Sequence, residues 1–138
     1  MSTFTIGADP AIRLTFHSRF YGDDGCVESY AVDLVAVDFR ASIRVKDLSY
    51  GQPPSQLLQE LVPCWQGWEG KKSWSSMEGE LEIDATSDRT GHITLTVKMP
   101  EYAHATAPWS AEARVLIEAG QLAAVAKEAE AFFAKRAA

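Results

Sequence analysis

Cysteine is scarce in this chain and long hydrophobic runs are missing. Of 138 residues only Cys26 and Cys64 are cysteines, and no C-x-x-C pair occurs, so a cysteine-based zinc site or disulfide framework is excluded. We expect both thiols to act as small apolar side chains. No stretch approaches the roughly 20 apolar residues of a membrane span. The N-terminus has no basic region followed by an apolar core, which argues against a signal peptide. We therefore expect a cytoplasmic protein.

Basic residues are also in deficit. Thirteen lysines and arginines face 19 acidic residues, which leaves a net charge of -6. This balance favours solubility and disfavours non-specific binding to nucleic acid, so we predict neither a nucleic-acid partner nor a membrane partner. It is compatible with a basic protein partner.

Catalytic and metal-binding motifs are missing as well. His17, His92 and His104 form no H-E-x-x-H or i, i+4 pair, and Asp23 and Asp24 lack the rest of a calcium loop. The stretch GWEGKKS has the wrong glycine spacing for a phosphate loop, and SWSSMEG is not a G-x-S-x-G elbow. We therefore predict no catalytic residue, no bound metal and no cofactor, with the histidines on the surface.

The apolar residues that are present alternate with polar ones over much of the chain. A length of 138 residues with 46% hydrophobic residues predicts a single domain over 1–138. Period-two alternation predicts strands near 3–6, 12–16, 81–85, 93–99 and 111–118, and the apolar stretch 30–39 predicts a central strand. Ala41, Ile43 and Val45 either continue that strand or follow a tight turn, and the sequence leaves both alternatives open.

Two segments have helical rather than strand character. Pro53 and Pro54 precede leucines at helical spacing, which predicts a short helix that ends at Pro63. The C-terminal segment predicts a longer helix with one apolar stripe, formed by Leu122, Val125, Ala126, Ala129, Phe132 and Phe133. The fold class is therefore predicted as α+β: a single antiparallel sheet of about six to seven strands, a short mid-chain helix and a C-terminal helix packed across one face.

Tryptophan is concentrated in one segment. Trp65, Trp68 and Trp74 lie within ten residues of each other. We expect two of them to close the core and Trp68, between glycines, to be the most exposed. Clusters of this kind on loops are enriched in binding hot spots. The candidate partner-binding residues are Trp68, Glu69, Trp65, Trp74 and Glu78.

Four short elements occur in the second half of the chain: W-x-G-W-x-G, W-x-S-x-E-G-x-L, D-x-x-G-H and E-A-G-Q-L. They lie at Trp65–Gly70, Trp74–Leu81, Asp88–His92 and Glu118–Leu122. With these elements the second half of the chain resembles a family of small uncharacterised bacterial proteins, mainly actinobacterial, that form a domain of unknown function. The resemblance implies no activity. It suggests that Glu118 and Gln121 satisfy backbone groups where a strand becomes a helix.

These observations favour a non-catalytic protein-binding module, immunity-like or regulatory by analogy of size and shape. One alternative is a small-molecule-binding domain or enzyme with a pocket between the sheet and the C-terminal helix, lined by Phe132, Phe133, Trp74 and Trp109. A homodimer joined through an exposed strand edge is a third reading.

Overall fold

The computed structural model describes residues 3–7, 11–46, 52–100 and 108–136. The first half of the chain forms a four-stranded antiparallel sheet in which each strand pairs with the next along the chain. Its strands are β1 (Thr3–Ile6), β2 (Ile12–Tyr21), β3 (Val27–Ala36) and β4 (Phe39–Lys46). Along β2 and β4, buried side chains alternate with more exposed ones. Successive side chains of a strand point to opposite faces, so one face of this sheet is buried.

The second half forms a separate four-stranded antiparallel sheet with the same sequential order. Its strands are β5 (Lys72–Ser75), β6 (Glu82–Ser87), β7 (His92–Met99) and β8 (Ala111–Glu118). Helix α1 (Ser55–Leu61) and a 3-10 turn (Val62–Cys64) precede it, and a 3-10 turn (Ala119–Gln121) and helix α2 (Leu122–Phe133) follow it. None of the helices in the described ranges is long and apolar enough to cross a membrane.

The α+β class is confirmed, but the prediction of one sheet with six to seven strands is wrong. Alternation identifies which residues face inward, yet it carries no information about which strands are hydrogen-bonded to each other. Among the described residues, the strands of each half of the chain pair only with strands of the same half. The strand that the sequence analysis missed is β5. It has four residues and one buried side chain, Trp74, so it is too short to show alternation.

The open question about Arg40–Lys46 is settled in favour of a separate strand. Val37 and Asp38 form a two-residue turn, and β4 then runs back along β3 with Ala36 opposite Phe39. The predicted hairpin of 81–85 with 93–99 is also present as β6 and β7. Its acidic outer positions face Lys98 and threonines, since Glu82 lies opposite Lys98 and Asp84 opposite Thr96.

A single hydrophobic cluster joins both sheets and both helices. Leu14, Val32 and Leu34 come from the first sheet, and Leu95 and Val97 from the second, and all five are completely buried. Burial of this kind stabilises the fold by roughly 1.5–3 kcal/mol for each large apolar side chain.

Helix α2 is held against the inner face of the first sheet by aromatic rings. The rings of Phe132 and Phe133 lie 5.5 and 6.3 Å from the ring of Phe4, and Phe133 lies 5.0 Å from Tyr30. The predicted apolar stripe is confirmed, because four of its residues are buried and Val125 and Phe133 pack against the core. Helix α2 therefore packs on a sheet face as predicted, but on the inner face of the first sheet.

Candidate functional site

The tryptophan segment divides differently from the prediction. Trp65 is the exposed member, with 57% of its surface accessible. Trp68 is half-buried against the core and its Nε1–H donates to the carbonyl oxygen of Ala85 at 3.3 Å. The expectation that Trp68 is the most exposed is therefore wrong, because its ring packs against the core and its indole N–H finds a backbone acceptor there. Of the two residues expected to close the core, Trp74 is buried as predicted, but Trp65 is exposed, and Trp68 packs against the core in its place.

Residues Trp65–Gly70, here called the tryptophan loop, are fixed against the β6–β7 turn. Gly67 has φ +122°, and a Cβ at this position would lie 2.9 Å from Cγ of Arg89. Glu69 forms an ion pair with Arg89 at 3.0 Å. Since Gly67 allows a close approach that no other residue permits, the loop lies directly on Arg89. The side chain of Trp65 is thus presented from a loop with a defined conformation.

The other two candidate residues do not join this surface. Trp74 is 8% exposed, and its Nε1–H donates to the carbonyl oxygen of Gln52 at 2.7 Å. Glu78 is exposed, but it lies in the β5–β6 turn, beyond Ser75, whereas the tryptophan loop precedes β5. Trp65 and Glu69 are consequently the exposed candidates that the structure brings together.

The β5–β6 turn has a structural role of its own. Buried Glu80 accepts a hydrogen bond from Oγ of Ser76 at 2.7 Å and another from the backbone N–H of Lys46 at 2.9 Å. The Ser76 hydroxyl in turn accepts from the N–H of Leu81. This buried carboxylate therefore links the second sheet to the last residue of β4. Its hydrogen bonds replace those that it would make with water, as is usual for buried polar groups.

The remaining family-like elements also form turns at one end of the second sheet. Asp88 accepts hydrogen bonds from the N–H groups of Thr90 and His92, and these contacts lower the pKa of its carboxyl well below the ordinary value. Glu118 and Gln121 form a reciprocal capping box, which confirms the predicted role. The N–H of Ala119 donates to the carbonyl oxygen of Gly91 and joins the two turns.

A polar cluster that sequence analysis did not single out lies on the outer face of the first sheet. Nδ1 of His17 lies 2.8 Å from Oγ of Ser18, and Nε2 lies 3.0 Å from Oδ2 of Asp33. Nη2 of Arg40 donates to the same Asp33 oxygen at 3.0 Å. These residues come from three strands, so only their pairing in the sheet brings them together. His17 alternates outward as predicted, but it is half-buried and hydrogen-bonded.

Asp33 is the centre of this cluster. Burial by itself would raise the pKa of its carboxyl, but hydrogen bonds from Ser42 and His17, with the charges of His17 and Arg40, outweigh burial and lower the pKa below 3.8. The carboxylate therefore stays ionised at neutral pH.

A β-bulge shapes the surface beside Asp33. The pairing of β2 with β3 slips between His17 and Phe20, and Ser18 has a positive φ of 53°. A positive φ is uncommon outside glycine and marks local strain. An open groove of about 580 Å³ runs along the bulge. It is lined by Thr3, Thr15, His17, Ser18, Arg19, Tyr21 and Asp33. A sequence signal for the bulge was the break in alternation after His17.

Two of the four residues proposed for a pocket between the sheet and the C-terminal helix, Phe132 and Trp74, lie in different places. Phe132 is completely buried, and its ring lies edge-on to the rings of Phe16 and Phe133. Trp74 lines a different groove of about 310 Å³ between α1 and β5. Another groove, of about 300 Å³, lies beside α2 and is lined by Thr5, Gly7, Ile117, Gly120, Gln121, Ala124, Val125 and Glu128.

Metal-ligating side chains are dispersed. Over the parts of the chain that the structure describes, no three histidine, cysteine, aspartate or glutamate residues lie close enough to hold an ion. Both cysteines are half-buried and unbridged. His104 lies outside the described residues.

Comparison with known proteins adds a family but no function. No curated protein and no solved structure matches the chain. Residues 5–136 match a family of unknown function, DUF6228. Because the match runs from β1 to the end of α2, both sheets and both helices lie within it. The chain therefore belongs to the family of unknown function DUF6228.

Proposed function

We propose that this protein is a protein-binding module without catalytic activity, immunity-like or regulatory, and that the tryptophan loop contacts the partner. The observation that carries the proposal is the exposure of Trp65 on a loop whose neighbouring residues are fixed. Tryptophan is enriched among the few residues that dominate binding energy. An exposed indole of this size on a monomer surface is the kind of anchor that such interfaces bury.

Preorganisation strengthens the case for this loop. Trp68 is fastened to β6, Gly67 lies against Arg89, and Glu69 is paired with the same arginine. A loop that is already ordered loses little conformational entropy when it binds, so more of the contact energy contributes to affinity. Glu69, whose side chain is 87% exposed, is ion-paired with Arg89, and its carboxylate can still accept hydrogen bonds from a partner.

The test is a pull-down from the native host with Trp65→Ala and with the matched variant Phe20→Ala. Phe20 is 59% exposed on the other sheet and so controls for loss of an exposed aromatic ring. A protein retained by the wild type and by Phe20→Ala, but not by Trp65→Ala, is the expected result. Equal recovery of every bound protein by all three forms would contradict the proposal.

A second candidate function is small-molecule binding in the groove beside the β2 bulge. Three residues that line this groove favour it, because they are connected by hydrogen bonds: Ser18, His17 and Asp33. The backbone of Ser18 is also strained, with a positive φ. Strained residues concentrate at functional sites. A thermal-shift screen against metabolites tests it, because a ligand that binds the native state raises the melting temperature. A hit that persists in Ser18→Ala and His17→Gln would place the ligand elsewhere.

A further inference from the structure

Strand β4 carries a concentration of positive charge that contrasts with the acidic chain. The outward face of β4 carries three exposed basic residues, here called the cationic row: Arg40, Arg44 and Lys46. Ser42 occupies the remaining outward position. The register with β3 places the cationic row opposite Val35, Ala31 and Ser29, and it brings one acid, Asp33, onto the outward positions of β3. The row therefore forms a positive patch on a protein of net charge -6.

The backbone of β4 has hydrogen-bonding groups that point away from β3, at the edge of the sheet. Within the described residues β4 pairs only with β3, so it is an edge strand. The N–H of Lys46 donates to Oε2 of Glu80 at 2.9 Å, and Glu80 is not part of β3. Since backbone groups alternate in direction along an antiparallel strand, those of Arg40, Ser42 and Arg44 point away from β3 in the same way. The two-residue turn leads to the same assignment, because in such a hairpin Ala36 and Phe39 are hydrogen-bonded to each other. The backbone groups of the next residue, Arg40, therefore point away from β3.

The arginines of the cationic row are already oriented. Nη2 of Arg40 binds Asp33 at 3.0 Å while the side chain remains 67% exposed. Nη2 of Arg44 binds the carbonyl oxygen of Ser18 at 3.0 Å and Oγ of Ser29 at 2.9 Å. A guanidinium has five N–H donors, and these contacts involve a single nitrogen on each residue. The charges are thus held in place beside an edge that can accept a strand, which lowers the entropic cost of binding.

We propose that the edge of β4 binds an extended acidic segment of a protein partner as an added strand, with alternate carboxylates beside the cationic row. Side chains two residues apart on a strand lie on one face, so alternating acids match the spacing of Arg40, Ser42, Arg44 and Lys46. Glu80 occupies the Lys46 end, so the added strand runs along Arg40–Arg44. This surface is separate from the tryptophan loop and does not depend on its role.

Two other occupants fit the observations less well. A second copy of the chain paired through β4 would set one cationic row beside another, and like charges on adjacent strands are destabilising. Nucleic acid has phosphates for the arginines but no regularly spaced donors for the outward carbonyl groups of β4. A peptide backbone supplies both donors and acceptors, as in strand addition to other sheet edges.

The test uses a capped synthetic peptide of alternating glutamate and threonine, titrated by calorimetry at low and at high salt. Controls are a peptide of the same composition with its glutamates contiguous and a peptide of alternating lysine and threonine. We expect the alternating acidic peptide to bind, to lose affinity at high salt, and to slow amide exchange at Arg40, Ser42 and Arg44. Equal binding of the contiguous peptide, or no change in exchange at these amides, would overturn the proposal.

Two double variants with the same change in net charge distinguish the effect of the cationic row on peptide binding from the effect of net charge. Arg40→Gln with Arg44→Gln removes the two charges beside the added strand, and Arg114→Gln with Lys127→Gln removes two exposed charges elsewhere. We expect the first variant to weaken peptide binding by roughly tenfold, from two ion pairs of up to about 1 kcal/mol each, and the second to leave it unchanged. If loss of the Arg44 contacts impairs folding, Arg40→Gln alone is compared with Arg114→Gln alone. Equal affinity in both variants, tighter binding of an oligonucleotide than of the peptide, or a concentration-dependent dimer would overturn the proposal.

Discussion

Phe132 is the side chain whose loss best tests how the C-terminal helix is attached. It is completely buried, its ring contacts Phe4 and Phe133, and the guanidinium of Arg19 lies 4.7 Å from the ring centroid. Arg19 also donates to the carbonyl oxygen of Phe132 at 2.9 Å. Phe132→Ala removes the ring but keeps the backbone acceptor, so the change isolates the packing of α2 on the first sheet.

The expected loss follows from burial and cavity formation. Phenylalanine to alanine in a packed core costs about 3–5 kcal/mol of unfolding free energy, and this includes the cavity that remains. Since domains are stable by only about 5–15 kcal/mol, the variant would retain a fraction of the wild-type stability. For a chain of 138 residues this corresponds to a fall in melting temperature of roughly 10–17 °C.

Urea denaturation followed by circular dichroism measures the change. The control is Phe20→Ala, because Phe20 is 59% exposed and surface changes of this kind cost less than about 0.5 kcal/mol. A loss below about 1 kcal/mol for Phe132→Ala, or similar losses in both variants, would refute the packing of α2 against the aromatic inner face of the first sheet.

Two further predictions concern the Asp33 cluster and the tryptophan loop. The pKa of Asp33 is lower in the folded protein than its ordinary 3.8, so its stabilising contribution is complete well above that value and is lost as pH falls through the folded pKa. The stability difference between wild type and Asp33→Asn, measured by urea denaturation, should therefore shrink from about pH 6 to about pH 3, and a constant difference would contradict this. Gly67→Ala should destabilise more than Gly70→Ala in the same assay. Both glycines have positive φ, which costs about 1–3 kcal/mol for another residue, but only at Gly67 would Cβ also meet Arg89, at 2.9 Å. Equal losses at the two positions would show that the contact with Arg89 adds no cost.

The helices and most strands could be predicted because they depend on residues that are near each other in the chain. Pro53 and Pro54 can begin a helix but not continue a strand, and helix α1 follows them. The apolar stripe of α2 and the alternation of β7 each have a period that suits one structure and not the other. The capping role of Glu118 and Gln121, which the family resemblance implied, is similarly local, since the two residues are three positions apart. These features depend on neighbours in the chain and were predicted.

The exposure of the tryptophans was less predictable for a physical reason. Trp65 and Trp68 have similar sequence surroundings, and their difference arises because Trp68 reaches the carbonyl oxygen of Ala85, 17 residues away. A side chain of this size is exposed or buried according to whether a distant strand supplies a partner and a surface. The location of that strand is not encoded in the residues beside the tryptophan.

The α+β class, both helices and most strands follow from residues close together in the chain, the net charge of -6 follows from composition, and the family resemblance supplied the roles of Glu118 and Gln121. Long-range pairing is needed to divide the strands into two sheets, to expose Trp65 rather than Trp68, and to bring His17 to Asp33. It also places the cationic row on a strand that, within the described residues, is an edge strand. Strand pairing joins residues that are far apart in sequence, and alternation of apolar residues reports the face of a strand but not its neighbour.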